Sequence, residues 1–269
     1  MGVPASVLAT FNVRGPAVRL PGGQGQAVRA GGFVLKPVPD PVEAEWTAGV
    51  FETLAGPGFR VPRPLRSADG RFVVEGWSAW TFIEGAHAGR NGGRWQDTIA
   101  ACKAFHAAIK GLPRPAFMDT RSDAWAVADR MAWGEVPLAT LPAFEALGDR
   151  LAALLEPIRI PAQVVHGDFT ANVLFADGLE PGVIDFSPYW RPAGFAIGVI
   201  IADALTWGGA DASILELAAS VPQFAHLLVR AELRRLLELD QHTRRGRPSF
   251  DQVAAHEPTV ALIERYLRG

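Results

Sequence analysis

The stretch His166-Gly-Asp-Phe-Thr-Ala-Asn-Val-Leu-Phe175, followed after a turn at Ala176-Asp-Gly178 by Gly182-Val-Ile-Asp-Phe186, decides the reading of this chain. Two apolar triplets, each leading into polar residues, predict a small hairpin whose ends carry His166, Asp168, Asn172 and Asp185. Held close, these side chains offer a carboxylate to orient or deprotonate a hydroxyl, and an amide with a second carboxylate to hold magnesium. Phosphoryl transfer needs those parts. The transferring group spreads charge over its oxygens, so catalysis rests on positioning and on cations, and hard oxygen ligands suit magnesium better than histidine or thiolate.

Upstream, the first 83 residues read as short strands with one helix inserted. Ala17-Val-Arg-Leu20, Gln26-Ala-Val-Arg29 and Phe33-Val-Leu-Lys36 alternate partially and are separated by Pro21-Gly-Gly-Gln-Gly25 and Gly31-Gly32, which predicts an antiparallel meander. Asp40-Pro-Val-Glu-Ala-Glu opens a helix that runs to about Gly56, with a capping aspartate, proline at the first position and acids in the first turn. Two more strands follow at Arg71–Glu75 and Trp80–Ile83. From Trp95 the pattern is helical, at Trp95–Lys110, Ser122–Met131 and Ala143–Leu155, and again beyond the hairpin at Ala196–Trp207 and Gln223–Gln241. The break between a first part, 1–83, and a second, 84–269, falls near Glu84-Gly85.

Composition narrows the partners. With 26 basic against 28 acidic residues, the formal charge of −2 supplies no field to hold nucleic acid or an anionic membrane. One cysteine, Cys102, makes no intramolecular disulfide and no zinc cluster, which suits a reducing cytoplasm. The first residues lack the pattern of a signal peptide, and the longest apolar run, Ala193–Trp207, contains Asp203 and is too short to span a bilayer. Basic charge is carried almost wholly by arginine, since Lys36, Lys103 and Lys110 are the lysines; this bias suggests a GC-rich bacterial genome.

The motif resembles that of the aminoglycoside phosphotransferase and choline kinase-like family, the small-molecule branch of the protein-kinase fold. That family's catalytic loop reads His-Gly-Asp, then Asn, with a metal-binding aspartate in Ile-Asp-Phe or Ile-Asp-Trp on the next strand; here these are His166-Gly167-Asp168, Asn172 and Ile184-Asp185-Phe186. The resemblance implies an α+β, two-lobed, protein-kinase-like fold, with a small antiparallel-sheet nucleotide-binding lobe and a mainly helical catalytic and substrate-binding lobe. It further implies Asp168 as the catalytic base, and Asn172 and Asp185 as holders of the magnesium ion that accompanies ATP. The thirteen positions from Asn172 to Asp185 match the family's separation, whereas Asp168 and Asn172 lie four apart instead of the usual five. A tighter turn would still deliver the Asn172 amide; otherwise Thr170 or a water fills the place. A nucleotide-binding pseudokinase without transfer activity is the competing reading of this short loop.

The same resemblance assigns the first part. Gly22, Gly23 and Gly25, between two strands, let backbone approach phosphates closely. Lys36, at the end of Phe33-Val-Leu, stands where the kinase fold places the lysine that contacts the α- and β-phosphates. Its acid on the following helix is Glu43 or Glu45, and helical spacing favours Glu43, which shares a face with Thr47, Val50 and Leu54. Phe82 and Ile83 lie where the family joins its lobes and reads the adenine edge with backbone groups. His106, His166 and Asp203 are expected to be structural, His166 behind the loop and Asp203 bracing it. The acceptor is a small hydroxyl-bearing molecule. Eight arginines against six acids in 230–269, with Arg234-Arg235 and Arg244-Arg245 among them, argue against a polycationic antibiotic.

Overall fold

The computed structural model describes residues 2–21, 25–88 and 93–268. Contacts divide them into two units, one comprising Met1–Ala86 with Leu174–Ile184, the other His87–Val173 with Asp185–Gly269.

In the first unit, β1 (Ala17–Arg19), β2 (Val28–Ala30), β3 (Phe33–Pro37), β4 (Val73–Val74) and β5 (Trp77–Thr81) form one antiparallel sheet in the order β1-β2-β3-β5-β4. The predicted meander is therefore present. Leu35 stands opposite Val28 on one side and Ala79 on the other. It joins Ala30, Ala79 and Val74 in a core closed by Val7, Phe11 and Val13, residues of a short helix α1 (Ala5–Thr10) and the turn after it. Side chains alternate along a strand, so Lys36, paired with Ser78, points away from that core.

Helix α2 (Pro41–Thr53) begins as its sequence dictates. Asp40 accepts the amides of Val42 (2.8 Å) and Glu43 (3.2 Å), satisfying two orphan donors, and Pro41 occupies the first position. The last two strands differ from the expected Arg71–Glu75 and Trp80–Ile83. Glu75 and Gly76 both have positive φ, at 49° and 75°, which closes a two-residue hairpin and starts β5 three residues early.

The segment 174–184 belongs with this first unit because its backbone is tied there. Ala86 and Phe175 exchange two hydrogen bonds of 2.9 Å, Val183 donates to the Arg60 carbonyl (2.8 Å), and Arg60 donates through Nε to the Glu180 carbonyl (2.7 Å). A side chain at Gly182 would place its Cβ 2.8 Å from Ile83 Cδ1, so glycine is what admits this close approach.

The second unit is built around α7 (Phe224–Arg244), on which α4 (Ala124–Ala132), α5 (Pro142–Ala152), α6 (Ala193–Thr206) and α8 (Glu257–Arg268) pack; α3 (Trp95–Ala108) lies against α6. The expected hairpin about the turn at 176–178 is present as a short ladder, and a second ladder joins it. Strand β6 (Gln163–His166) pairs with β9 (Pro188–Arg191), and β7 (Val173–Leu174) with β8 (Gly182–Val183). Asp185 adopts φ +48°, which turns the chain between β8 and β9 and returns it beside β6.

The arginines at 230–235 do not form the basic surface that their sequence suggests. Arg234 and Arg235 are 1% and 7% exposed, and Arg230 is also buried, so these three present no positive charge to an acceptor. Their charge is consumed inside the unit.

Candidate functional site

Gly167 has no room for a side chain. A Cβ there would lie 2.3 Å from Tyr189 Cδ2 and 2.9 Å from Arg234 Nη1. The loop is held against β9 at this point by the Gly167 amide, which donates to the Ser187 carbonyl (2.9 Å), and by Arg234 Nη1, which donates to the Gly167 carbonyl (2.8 Å).

The next residue, Asp168, keeps 37% of its side chain exposed while its Oδ1 accepts from Arg235 Nη2 at 2.8 Å. Burial pushes its carboxyl up, but the charge and hydrogen bond of Arg235, helped by His166 and Arg234, outweigh it and hold the group below the ordinary aspartate value. A single 3₁₀ turn, Thr170–Asn172, completes the loop, the Asn172 amide donating back to the Phe169 carbonyl (3.1 Å). The four-step spacing is thereby accommodated: Asn172 Nδ2 donates to the Asp168 carbonyl (2.7 Å) and to Asp168 Oδ2 (3.2 Å).

Behind the loop, His166 is fully buried and its Nδ1 accepts the amides of Asp168 (3.3 Å) and Ser187 (3.5 Å). Its own amide donates to Nε2 of His106 on α3 (2.9 Å). Both histidines therefore serve the backbone. Asp203 on α6 receives Arg235 through two bonds, Nε to Oδ1 at 2.8 Å and Nη2 to Oδ2 at 2.7 Å.

Asp185 is exposed, and its left-handed backbone is one that aspartate tolerates better than most residues. Among the described residues, no three His, Cys, Asp or Glu side chains gather as a metal-holding group. Magnesium does not require one, since it takes one or two protein oxygens and completes its shell with water and phosphate. The residues present fit that ion: the Asn172 amide is pinned through its nitrogen, which leaves Oδ1 as the ligand end, and Asp185 adds a hard carboxylate.

In the first unit, Gly22 and Gly23 lie outside the described residues. Gly25 closes the β1–β2 turn at φ +66°, with nothing within 4 Å of where its Cβ would stand. Lys36 is half-buried on β3. Glu45 is committed elsewhere, accepting the amides of Phe72 (3.0 Å) and Val73 (2.9 Å), so of the two glutamates it is the one that braces β4. Phe82 extends the β3–β5 ladder by one bond, its amide donating to the Gly32 carbonyl (2.8 Å), and its ring lies under the Arg29 guanidinium at 3.7 Å.

Sequence reasoning missed Arg234 and Arg235. They sit in a stretch where α7 is buried on every side, and Glu238 joins them, its Oε1 2.9 Å from Arg234 Nε and its Oε2 2.9 Å from Arg235 Nη1. The signal available was the run Glu232, Arg234, Arg235, Glu238 and Asp240 with no polar face to hold it: charges of both signs around a whole helix point to internal pairing. A cavity of about 140 Å³ in this unit lies along Pro188–Arg191, where Arg191 pairs with Asp129 (2.5 Å) and Arg114 with Asp119 (2.5 Å). Its guanidiniums are largely neutralised, and Asp168 is not in its wall.

Residues 18–189 match the phosphotransferase enzyme family. None of the curated proteins matches the chain in sequence. Among solved structures, a thermostable mutant of aminoglycoside phosphotransferase APH(4)-Ia is 19% identical with a TM-score of 0.60, over 98% of this chain and 99% of that one. Amicoumacin kinase hAmiN, in complex with AMP-PNP, Ca²⁺ and Ami, is 14% identical with a TM-score of 0.62, over 98% of this chain and 94% of that one. Choline kinase LicA from Streptococcus pneumoniae is 11% identical with a TM-score of 0.60, over 97% of each chain. At these identities the likeness is one of fold, the α+β protein-kinase-like arrangement of a small antiparallel sheet followed by a mostly helical remainder.

Proposed function

The chain belongs to the phosphotransferase enzyme family, and on that premise we propose that it is an ATP-dependent kinase that phosphorylates a hydroxyl of a small molecule. The observation that carries this reading is Asp168: a part-exposed carboxylate fixed from behind by a buried arginine, one turn before an amide that reaches back to it. Asp168 is assigned the acceptor hydroxyl. As the acceptor oxygen forms its bond to the γ-phosphorus and the bond to the ADP oxygen breaks, the hydroxyl proton passes to Asp168.

Asn172 through Oδ1 and Asp185 through its carboxylate would hold magnesium, which when bound supplies positive charge to the phosphate oxygens. Lys36 neutralises α- and β-phosphate charge and Glu43 orients it. Gly25, with Gly22 and Gly23, lets backbone amides approach phosphate. With the Phe82 amide spent on the sheet, the Phe82 carbonyl and the Ile83 amide are the groups assigned to the adenine edge. The 1–83 part is thus assigned to nucleotide and 84–269 to catalysis and acceptor.

A cytoplasmic bacterial enzyme suits the composition. Charge gives no reason for nucleic-acid binding, and no helix among the described residues is long and apolar enough to cross a membrane.

The test is a thermal-shift series of nucleotides with and without magnesium, followed by hydroxyl-bearing metabolites. A nucleotide at about 100 times its dissociation constant adds about 2.7 kcal/mol of stability, and the shift should need magnesium for full size. Absence of a shift with every nucleotide plus magnesium would sink the kinase reading.

A further inference from the structure

We propose that Arg235 is a positioning residue for transfer: anchored on Asp203 and Glu238, its guanidinium fixes Asp168 so that Oδ2 is the oxygen presented to the acceptor hydroxyl. This role rests on the reading of Asp168 as base and supplies what aims it.

Three carboxylates converge on this one guanidinium. Asp203 takes Nε and Nη2, Glu238 takes Nη1, and Nη2 is shared with Asp168 Oδ1. Two of these carboxylates, each about nine-tenths buried, already satisfy a buried arginine, so Asp168 is not needed to balance its charge. The dependence runs the other way. Without Arg235, the hydrogen bond that the described residues still give the Asp168 carboxylate is the 3.2 Å contact from Asn172, long for a charged acceptor.

The planar fork explains why the residue is arginine. One guanidinium spans Asp203 on α6 and Asp168 on the loop, with fixed angles between its donors; an ammonium reaches one carboxylate as a point charge. Its neighbour makes the grip double. Arg234 holds the Gly167 carbonyl at 2.8 Å and lies 4.4 Å over the Tyr189 ring, so consecutive residues of α7 hold consecutive residues of the loop. With Oδ1 taken by Arg235, Oδ2 is the oxygen with a lone pair to spare beyond its 3.2 Å contact from Asn172, on a side chain that is 37% exposed. A carboxylate misplaced by about 1 Å loses on the order of 10²-fold in rate, which sets the scale of what such a clamp protects.

Arg235→Gln alone leaves Asp203 a buried carboxylate without its partner and unfolding is then a trivial outcome, so the test uses the charge-balanced double variant Arg235→Gln/Asp203→Asn, which keeps Glu238 paired with Arg234, beside Arg235→Lys, each checked for a cooperative melt. Magnesium-dependent nucleotide turnover should fall by about 10²-fold in kcat with nucleotide KM unchanged within about twofold. A merely structural pair would lower the melting temperature and leave kcat of the folded protein alone; wild-type kcat in either folded variant overturns the proposal. Crystal structures of the same variants decide independently of turnover. Displacement or disorder of the Asp168 carboxylate supports the clamp, and a carboxylate within about 0.5 Å of its present place overturns it. If wild-type protein shows neither nucleotide binding nor turnover, the kinase reading fails, while the crystallographic comparison still decides whether Arg235 holds Asp168 in place.

Discussion

His106 Nε2 accepts the backbone amide of His166 at 2.9 Å, while His106 Nδ1 lies 2.7 Å from the Cys102 carbonyl. A carbonyl accepts, so Nδ1 carries the proton and Nε2 bears the lone pair: the latch between α3 and β6 is a neutral imidazole. Burial, partly opposed by the Cys102 carbonyl and reinforced by His166, pushes its pKa down to about 4 from the ordinary 6.5. A depressed pKa means that the unfolded chain takes the proton first. Stability is therefore fully present above about pH 6.5, declines as pH falls, and this contribution is gone below about pH 4. Its size is up to about 3 kcal/mol. Denaturant melts across that window should show a steeper loss for wild type than for His106→Gln; equal slopes would mean that the imidazole is not held neutral.

Gly167→Ala should destabilise the fold and displace the loop together. The added methyl carbon meets the Tyr189 ring at 2.3 and 2.6 Å, and the ring is held on its other contacts by Arg234 and Arg121. Overpacking of this kind costs about 1–3 kcal/mol. Since Gly167 also carries the carbonyl that Arg234 grips, turnover should fall by more than the melting temperature explains. A variant with unchanged stability would show that Tyr189 yields freely.

The two glutamates of α2 should separate by phenotype. Glu45 accepts two backbone amides of the β4 edge, and removing a partner of buried or half-buried donors costs about 1–3 kcal/mol. Glu45→Ala is expected to lower the melting temperature and leave nucleotide KM alone. Glu43→Ala is expected to do the reverse, raising nucleotide KM several-fold, as is Lys36→Ala. A nucleotide defect confined to Glu45→Ala would reassign the partner of Lys36.

What the sequence made legible was local chemistry. Asp40-Pro41 announces a helix start because cap and first-turn geometry are set by neighbours in sequence, and Phe33–Pro37 reads as a strand because alternation is visible within it. His166, Asp168 and Asn172 could be brought together on paper because one tight loop carries all three. The pairing of β6 with β9 was hidden. It depends on the turn at Asp185, whose left-handed backbone no short-range pattern announces, and Pro188 at the head of the strand reads as a stop. The Glu75-Gly76 turn hid β5 in the same way. Arg234 and Arg235 mislead for another reason: adjacent charges suggest a surface, whereas α7 runs through the middle of its unit and its charges pair internally, Arg235 with Asp203 and Asp168, 32 and 67 positions away. Burial of a helix on all sides removes the amphipathic pattern that would have told its faces apart.

Asp168→Asn and Asp185→Asn should fail in different ways, although both replace a carboxylate by its amide. Asp168 is tied to Arg235 through Oδ1 and keeps part of its side chain exposed, so the substitution removes the assigned proton acceptor and leaves Asn172 and Asp185 in place. Turnover should fall by roughly 10²- to 10⁴-fold, the usual contribution of a positioned base, while nucleotide with magnesium binds as before. Asp185 carries a charge assigned to the ion, so Asp185→Asn should abolish the magnesium-dependent part of nucleotide binding and turnover with it. Titration calorimetry with a non-hydrolysable ATP analogue, with and without magnesium, separates the two. Equal loss of binding in both variants would show the roles to be misassigned, and wild-type turnover in Asp168→Asn would remove this carboxylate from the reaction altogether.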